Sequence, residues 1–327
     1  MKLTDTKNIM VYVETDAGSP ASVALEALAA ARKIAETQKQ EILAVVIDKK
    51  SDEDIKKIFA AGADKVILVE DEEYQNERYE YIFKQLIEKY KPSVFMAGST
   101  LLSKDIVGVI AAYFETTGLV DVVNIAFEGE QIILTCPVYG GTILNDIKVL
   151  SKPVVMTVRP GAFSKEFDDS RNGEVVVEKI EVPENVLLTK IADVIREATD
   201  TINLEEADVI VSVGRGMGSK ENCALAQELA DVCGGVLGGT RPAIEDEWIA
   251  RCYQVGQSGK IVSPKLYIAC GISGATQHVS GMVGSGYIIA INKDEDAPIF
   301  DVADVGIVGD VTKVLPLLIE EFKKLKA

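Results

Sequence analysis

The sequence predicts an α/β protein of two domains, each built around a parallel sheet. Short apolar runs of strand length alternate with longer stretches in which apolar residues recur at helical spacing. The chain has 327 residues, which is enough for two domains of ordinary size, each with its own core. Residues 160–206 are polar and irregular, so we place the boundary there and predict domains at 1–196 and 197–327.

The first half of the chain alternates predicted strands and helices. Strands are predicted at 9–13, 42–47, 66–69 and 93–97, and helices at 22–36, from residue 51, at 79–90 and at 104–114. Such β-α units fold into a parallel sheet that is covered on both faces. Further strands, which include an antiparallel excursion and close the domain, are predicted for strand-like segments without long intervening helices: 122–127, 131–137, 142–150 and 154–158.

Gly98-Ser99-Thr100 ends the fourth predicted strand and allows two interpretations. A Gly-Ser-Thr turn before a helix could hold a phosphate. It could equally be a turn and helix N-cap without any ligand. Because neither a GxGxxG nor a GxxxxGK[ST] motif occurs in this half, we favour the N-cap.

The second half is predicted to continue the alternation around glycine-rich turns. Strands are predicted at 175–182, 208–213, 236–237, 265–269 and 287–291, and helical segments at 185–195, 220–232 and 311–325. The strand 208–213 is followed by Gly214-Arg215-Gly216-Met217-Gly218-Ser219 and then by a helix, an order that can cradle a phosphate. Its glycine spacing matches neither a dinucleotide fingerprint nor a P-loop.

Four loops of the last third share one composition, with glycines, a hydroxyl or amide and an occasional cation. They are 214–219, 238–241, 255–260 and 271–278. Together they predict one extended anionic ligand that is held mostly by backbone and neutral groups; a mononucleotide, a dinucleotide and coenzyme A all fit this description. No catalytic residue is predicted, because no G-x-S-x-G elbow occurs and Asp294, Glu295 and Asp296 resemble a solvated turn.

Composition and charge disfavour several classes of ligand and location. A net charge of −17 disfavours binding to nucleic acid and to anionic membranes. Five scattered cysteines and one histidine form no metal-site pattern and are typical of thiols in a reducing compartment. No secretory or transit peptide and no apolar run of about 18 residues is recognised, so we expect a cytoplasmic bacterial protein without membrane insertion.

Longer motifs in the second half carry a family resemblance. The run LYIACGISGATQHVSGM, followed by AINKDEDAPIFDVADVGIVGD, resembles the signature of electron-transfer flavoprotein α subunits. VSVGRG, GGTRPA and YQVGQSGK extend the resemblance over nearly all of the second domain, and TTGLVDVV covers the first more thinly. The resemblance implies a Rossmann-like FAD-binding second domain and a nucleotide-binding-like first domain that packs on a β subunit. It also implies AMP or a second FAD in that β subunit.

The same motifs imply roles for individual residues. Arg215 and Thr240 would contact the FAD, Thr240 through the pyrophosphate, and Arg241 would lie against the isoalloxazine ring. Many relatives have Ser at the position of Thr240 and Thr at that of Ser258; because a hydroxyl is kept, we expect the contacts to survive with a slight shift in potential. The ring would be lined by Val255, Gly256, Gln257 and Ser258, with the Ser258 hydroxyl near N5.

The remaining implied ligands follow in chain order. The pyrophosphate and flavin would be wrapped by Ser273, Gly274, Ala275, Thr276, Gln277 and His278. His278 would lie near the C2 carbonyl, where with Arg241 it would stabilise an anionic semiquinone. Asn292 and Asp310 would hold the adenosine end.

The function that the resemblance implies is electron transfer rather than transformation of a substrate. With its β subunit the chain would accept electrons from a flavin dehydrogenase, such as an acyl-CoA dehydrogenase of fatty-acid β-oxidation, and pass them through a flavin semiquinone to an acceptor such as a quinone oxidoreductase or ferredoxin. One alternative is a subunit of an NADH-dependent electron-bifurcating complex that reduces ferredoxin and an acyl-CoA dehydrogenase. A second is a non-redox nucleotide-binding module. A swivel of the second domain would hinge within 160–206.

Overall fold

The computed structural model describes residues 2–16, 18–48, 51–70, 74–190, 192 and 204–326. The chain divides into two compact units, one of Met1–Val138 with Thr142–Ile195 and the other of Tyr139–Gly141 with Arg196–Ala327. The predicted boundary between residues 196 and 197 lies outside the described residues and stays a prediction, as does the end of the helical segment predicted at 185–195. The start of that segment is a 3₁₀ turn, Glu184–Val186.

The first unit contains twelve strands and four helices among its described residues. In chain order they are β1 (Ile9–Tyr12), β2 (Thr15–Asp16), β3 (Ser19–Pro20), α1 (Ser22–Gln38), β4 (Ile42–Ile47), α2 (Asp52–Ala60), β5 (Lys65–Val69), α3 (Asn76–Tyr90), β6 (Val94–Gly98), α4 (Leu101–Tyr113), β7 (Gly118–Val122), β8 (Asn124–Glu128), β9 (Gln131–Val138), β10 (Ile143–Lys148), β11 (Val154–Val158) and β12 (Glu174–Glu178).

Seven of these strands form one parallel sheet in the order β12-β5-β4-β1-β6-β11-β7. The central strands are apolar and buried along their whole length, as β4 with the sequence ILAVVI shows. Leu28 of α1 and Ile58 of α2 pack in the core on one face, while Phe83 of α3 and Ile110 of α4 pack in the core on the other. The predicted parallel sheet with two covered faces is therefore confirmed.

The antiparallel excursion is present, but its first strand differs from the prediction. The segment predicted as one strand at 122–127 is split: β7 ends at Val122 in the parallel sheet, and β8 begins at Asn124 in a separate antiparallel sheet of order β10-β9-β8. Asp121 has a φ of 58° next to the break, where the pairing of β7 with β11 shifts register. The apolar run did not reveal this change of sheet, because its residues are compatible with a strand in either sheet.

At the carboxyl end of β6, Thr100 is the N-cap of α4. Its hydroxyl accepts a hydrogen bond from Ser103 N at 3.0 Å, which confirms the N-cap interpretation of Gly98-Ser99-Thr100. The carboxylate of Glu14, which follows β1, accepts hydrogen bonds from the hydroxyls of Thr100 (2.6 Å) and Ser103 (3.1 Å). The chain's own carboxylate therefore lies at the helix N-terminus where an anionic ligand would bind in other α/β sheets.

The second unit has five further strands and four helices among its described residues. They are β13 (Val209–Val213), α5 (Cys223–Cys233), β14 (Val236–Gly239), α6 (Arg241–Glu245), β15 (Leu266–Cys270), α7 (Thr276–Val279), β16 (Ile288–Asn292), β17 (Val305–Val308) and α8 (Val311–Lys326). The strands form a parallel sheet in the order β14-β13-β15-β16-β17.

The two faces of this second sheet are covered differently. Leu229 of α5 and Leu315 of α8 pack in the core on one face. On the other face the core includes Val255, Met282 and Ile299, which belong to irregular segments rather than to long helices. These irregular segments leave space for a cavity at the carboxyl ends of the strands.

Three local features of the second unit differ from the sequence prediction. Helix α5 begins at Cys223 rather than at residue 220, because residues before it form turns in which Asn222 Nδ2 donates to Met217 O at 2.7 Å. Strand β17 was not predicted, since this edge strand is largely exposed and lacks a continuous buried face. His278 lies in the short helix α7, whereas the sequence analysis placed it in the loop 271–278.

Across the described residues, no helix combines the length and apolarity needed to cross a membrane.

Candidate functional site

The candidate site lies where the second sheet reverses its strand order. Strand β13 has β14 on one side and β15 on the other, and Val213 at its end is in register with Cys270 at the end of β15. The turns that follow these two strands therefore meet at one edge of the sheet, which is where ligands bind in open α/β sheets. A cavity of about 730 Å³ opens there, within the 300–1,000 Å³ range of small-molecule sites.

The cavity draws its lining from five segments of the second unit. The lining residues are Gly214, Arg215, Gly216, Thr240, Arg241, Pro242, Val255, Gly256, Gln257, Ser258, Gly271, Ile272, Ser273, Ala275, Gln277, His278, Asn292, Lys293, Asp294, Ala297 and Pro298. The four loops that the sequence singled out are thus brought together around one space.

The glycines after β13 pack against the turn after β15. Gly214 N donates to Cys270 O and Gly216 N donates to Gly271 O, each at 2.9 Å. A Cβ on Gly214 would lie 2.4 Å from Gly271 O, which leaves no room for a side chain. These glycines are therefore required for contact between two turns, whereas the sequence suggested that they approach a phosphate directly.

The segment 273–277 presents a row of open backbone amides. In the described structure, no hydrogen bond is formed by the N–H groups of these five consecutive residues. Two hydrogen bonds hold the start of the segment in place. Asn292 Nδ2 donates to Ile272 O at 2.8 Å, and Ile299 N donates to Ser273 O at 3.1 Å. Successive open N–H groups at a turn can bind an anion, and three residues of this segment, Ser273, Ala275 and Gln277, line the cavity.

The loop after Gln254 forms another wall of the cavity. Gln254 Nε2 donates to Ser258 Oγ at 2.9 Å, which leaves the Ser258 proton for a different acceptor. Gln257 N donates to Gln277 O at 2.7 Å, so this loop is tied to the segment with open amides. Gly256 has a φ of 138°, and a Cβ there would lie 2.9 Å from Gln277 O, so glycine is required at this turn.

His278 lines the cavity but is itself buried, with 6% of its surface exposed. Its Nδ1 lies 3.1 Å from Val255 O and its Nε2 lies 3.0 Å from the hydroxyl of Tyr267. Burial lowers the pKa of His278 to about 4, an effect that the contact with the Val255 carbonyl partly offsets. The implied role of this residue as a positive or donating group toward a flavin stays a prediction.

The charged groups of the lining favour an anionic ligand. Arg215, Arg241 and Lys293 line the cavity together with one carboxylate, that of Asp294. Arg241 is partly neutralised, since its Nε donates to Glu245 Oε1 at 2.7 Å in an exposed ion pair. Among the described residues, no group of three His, Cys, Asp or Glu side chains could hold a metal ion.

Most residues that the resemblance implied as ligands line this cavity, and three do not. Gly274 has a φ of 92° and packs so closely on Ile299 that a Cβ would lie 2.2 Å from its backbone nitrogen. Thr276 begins α7 outside the lining. Asp310 precedes α8, and its Oδ1 accepts hydrogen bonds from Thr312 N (3.0 Å) and Thr312 Oγ1 (2.7 Å), which lower the pKa of Asp310.

Some lining residues were not assigned as ligands from the sequence. Lys293 and Asp294 directly follow Asn292 at the end of β16, so their position after a predicted strand could have indicated them. Ala297 and Pro298 lie before and within a 3₁₀ turn, Pro298–Val302, that the apolar pattern does not reveal.

Comparisons with known proteins cover both units. Residues 9–185 match the electron transfer flavoprotein domain, and residues 203–283 match the electron transfer flavoprotein FAD-binding domain. The chain is 42% identical to the electron transfer flavoprotein subunit alpha of Thermoanaerobacterium thermosaccharolyticum, over 99% of this chain and 100% of the relative. It is 41% identical to the corresponding subunit of Megasphaera elsdenii, over 100% and 99%. It is also 34% identical to the acryloyl-CoA reductase electron transfer subunit beta of Anaerotignum propionicum, over 98% and 96%.

Proposed function

The chain belongs to the electron transfer flavoprotein family as an α subunit, an electron carrier that binds FAD, and we propose that the FAD occupies the cavity of its second unit. The observation that carries this proposal is the row of open amides at 273–277 beside a cavity with three cationic side chains. A pyrophosphate needs N–H donors and positive charge, and the lining of this cavity supplies both.

The walls of the cavity suggest how the ligand is oriented. The amides of 273–277 would take the pyrophosphate together with Thr240, which lines the same cavity. Val255, Gly256, Gln257 and Ser258 would lie along the isoalloxazine ring, and the Ser258 proton is available to a ring nitrogen because Gln254 already donates to the Ser258 oxygen. Asn292, which is bonded to Ile272 O, would mark the adenosine side. Bound FAD supplies the ability to take up and release single electrons.

The partners follow from the relatives and from chemistry. A β subunit is the first partner, since relatives that are 42% and 41% identical to this chain are themselves named as α subunits. We propose a flavin dehydrogenase for acyl-CoA substrates as the electron donor, supported by the relative named for acryloyl-CoA reductase. None of the five cysteines, all within the described part of the chain, is in a disulfide, in keeping with a reducing cytoplasm.

The test is spectroscopic and uses the chain co-expressed with its β subunit. We expect flavin absorbance bands that an acyl-CoA dehydrogenase and its substrate bleach, whereas NADH alone does not. Bleaching by NADH would support the bifurcating alternative instead. A complex that shows no flavin bands after addition of FAD and removal of the unbound cofactor would overturn the flavoprotein assignment.

A pair of glycine variants tests the location of the FAD. Gly274→Ala adds a Cβ in a left-handed conformation against the Ile299 backbone, and we expect it to abolish FAD binding. Gly129→Ala is the matched control, because Gly129 also has a positive φ of 63° but has no atom within 4 Å of an added Cβ. Equal loss in both variants, or in neither, would contradict the proposed location.

A further inference from the structure

Gln254 lies behind the part of the cavity wall that carries Ser258. Of the described residues that line the cavity, Ser258 is one and Gln254 is not, and Gln254 is buried with 7% of its surface exposed. Both polar groups of its backbone are held, because Gln254 N donates to Arg251 O at 3.0 Å and Gln254 O accepts from Lys260 N at 2.8 Å. The side chain of Gln254 therefore starts from a fixed position in the loop.

The side chain of Gln254 packs closely against Gly259. A Cβ on Gly259 would lie 2.9 Å from Gln254 Cγ and 2.4 Å from Gln254 O, so the side chain of Gln254 occupies space that only a glycine leaves open. From this position Gln254 Nε2 donates a hydrogen bond to Ser258 Oγ at 2.9 Å. The contact between amide and hydroxyl is thus set by the loop itself and needs no ligand.

The amide of Gln254 decides what the Ser258 hydroxyl can offer to a ligand. A hydroxyl has one proton and two lone pairs. The N–H of Gln254 occupies one lone pair, so the proton and the second lone pair stay available to the cavity. A carboxylate in the same position would instead accept the proton, and the hydroxyl would then have only lone pairs for the ligand.

We propose that Gln254 is a positioning residue of the flavin site, which keeps the proton of Ser258 available as a donor to an unprotonated ring nitrogen of the flavin. This inference deepens the proposed function and rests on FAD occupying the cavity. In the oxidised isoalloxazine ring N1 and N5 are pyridine-type nitrogens without a proton, so each can accept a hydrogen bond. A Ser258 hydroxyl whose proton was taken by a neighbour would meet such a nitrogen lone pair to lone pair, which is unfavourable.

A first measurement tests the contact without FAD, in the complex of the chain with its β subunit before the cofactor is added. In protein labelled with ¹⁵N-glutamine, the side-chain amide of Gln254 gives a pair of N–H resonances that is assigned through its backbone. We expect Ser258→Ala to shift this pair, because the substitution removes the oxygen that accepts the hydrogen bond from Nε2. An unchanged pair would show that the amide does not donate to Ser258 and would overturn the inference.

A second measurement uses oxidised FAD labelled with ¹⁵N, bound to the same complex at pH 9. An accepted hydrogen bond moves a pyridine-type nitrogen upfield, so we expect N1 or N5 to lie further upfield in the wild type than in Ser258→Ala. Gln254→Glu keeps the size of the side chain but is ionised at pH 9, well above the ordinary pKa of a carboxyl. It should abolish the upfield shift, since the Ser258 proton then goes to the carboxylate. Retention of the shift in Gln254→Glu would overturn the inference.

Gln227→Glu is the matched control for charge and size. Gln227 Nε2 donates to Asp231 Oδ1 at 2.8 Å on α5, and neither residue lines the cavity in the described structure. We expect this variant to keep the upfield shift of the flavin nitrogen. A loss of the shift in both glutamate variants would show that added negative charge, rather than the contact with Ser258, is the cause, and would remove Gln254 from the proposed role.

The two measurements separate this inference from the proposed function. If FAD binds and Ser258→Ala leaves both N1 and N5 in place, the inference fails while the proposed function stands. If titration by flavin fluorescence shows that FAD does not bind, the proposed function fails, and with it the assignment of Gln254 to a flavin site. If Gln254→Glu does not fold, the amide resonances and the comparison of the wild type with Ser258→Ala still decide whether Gln254 donates and whether Ser258 does.

Discussion

Gly216 and Gly271 are in backbone contact across the candidate site. Gly216 N donates a hydrogen bond of 2.9 Å to Gly271 O, and a Cβ on Gly216 would lie 2.6 Å from the Cα of Gly271. The turn after β13 and the turn after β15 are thus held together at a distance that only glycine permits. This contact sets the position of the segment that carries the open amides.

We expect Gly216→Ala to destabilise the second unit by about 1–3 kcal/mol, because the added methyl group forces the two turns apart. FAD affinity should fall by roughly tenfold or more for the same reason. The only tryptophan, Trp248, lies in the second unit, so its fluorescence during urea unfolding measures this loss. Gly108→Ala in α4 is the control, since no atom lies within 4 Å of its added Cβ; a similar loss there would contradict the explanation.

The pair of Arg241 and Glu245 should tune ligand affinity. Removing the carboxylate in Glu245→Gln frees the Arg241 guanidinium, and we expect FAD to bind up to about fivefold more tightly at low salt, with the gain lost at high salt. Glu228→Gln removes a carboxylate from an exposed pair with Lys323 outside the cavity and should leave FAD affinity unchanged. A gain that does not depend on salt would show that the effect is not electrostatic.

Glu26 should make the first unit less stable as the pH rises. Burial raises its pKa to about 7, despite the hydrogen bond from Gly161 N and the nearby Lys165, so the folded carboxyl keeps its proton at a pH where the unfolded one has lost it. The folded state then binds more protons between about pH 4.5 and pH 7, and the free energy of unfolding falls across that window.

Glu26→Gln should remove this dependence while Gln keeps an oxygen for Gly161 N. We expect the variant to gain stability relative to the wild type between pH 5 and pH 8, by up to about 3 kcal/mol, as measured by urea unfolding with circular dichroism. Glu36→Gln, at an exposed position of the same helix, should show no such gain. A constant difference between Glu26→Gln and the wild type at all pH values would refute the assignment.

The five cysteines should divide into two reactivity classes. Cys136, Cys223 and Cys270 are buried and their thiol pKa values are raised by that burial, to about 12 for Cys270. Cys233 and Cys252 are half-buried. We expect iodoacetamide at pH 8 to modify these two first in the native protein and all five after unfolding, as mass spectrometry of the peptides would show. Early labelling of Cys270 would mean that the sheet opens readily.

Local sequence patterns correctly predicted most of the strands and helices, and they also identified the loops of the site. Helix α2 begins after Ser51, which accepts a hydrogen bond from Asp54 N as an N-cap, and β4 occupies the predicted residues. Family motifs then pointed to loops that do surround one cavity. The split between β7 and β8 and the edge strand β17 were missed, since each depends on which neighbour a short apolar segment finds in the folded chain.

The sequence by itself determined the order of most strands and helices, the glycine-rich ends of β13 and β15, and the family, because periodicity and motifs are local properties. Only the tertiary structure decided which polar groups are available to a ligand. Parallel pairing places Val213 beside Cys270, so the N–H groups of Gly214 and Gly216 donate hydrogen bonds to the end of β15 and the turn after it. The N–H groups of 273–277 form no hydrogen bond in the described structure. The hydrogen-bond partners of His278 were decided in the same way, since Tyr267 and Val255 reach its ring from separate elements. Hydrogen bonds between segments far apart in the chain leave no local pattern, and these bonds determine what the site can do.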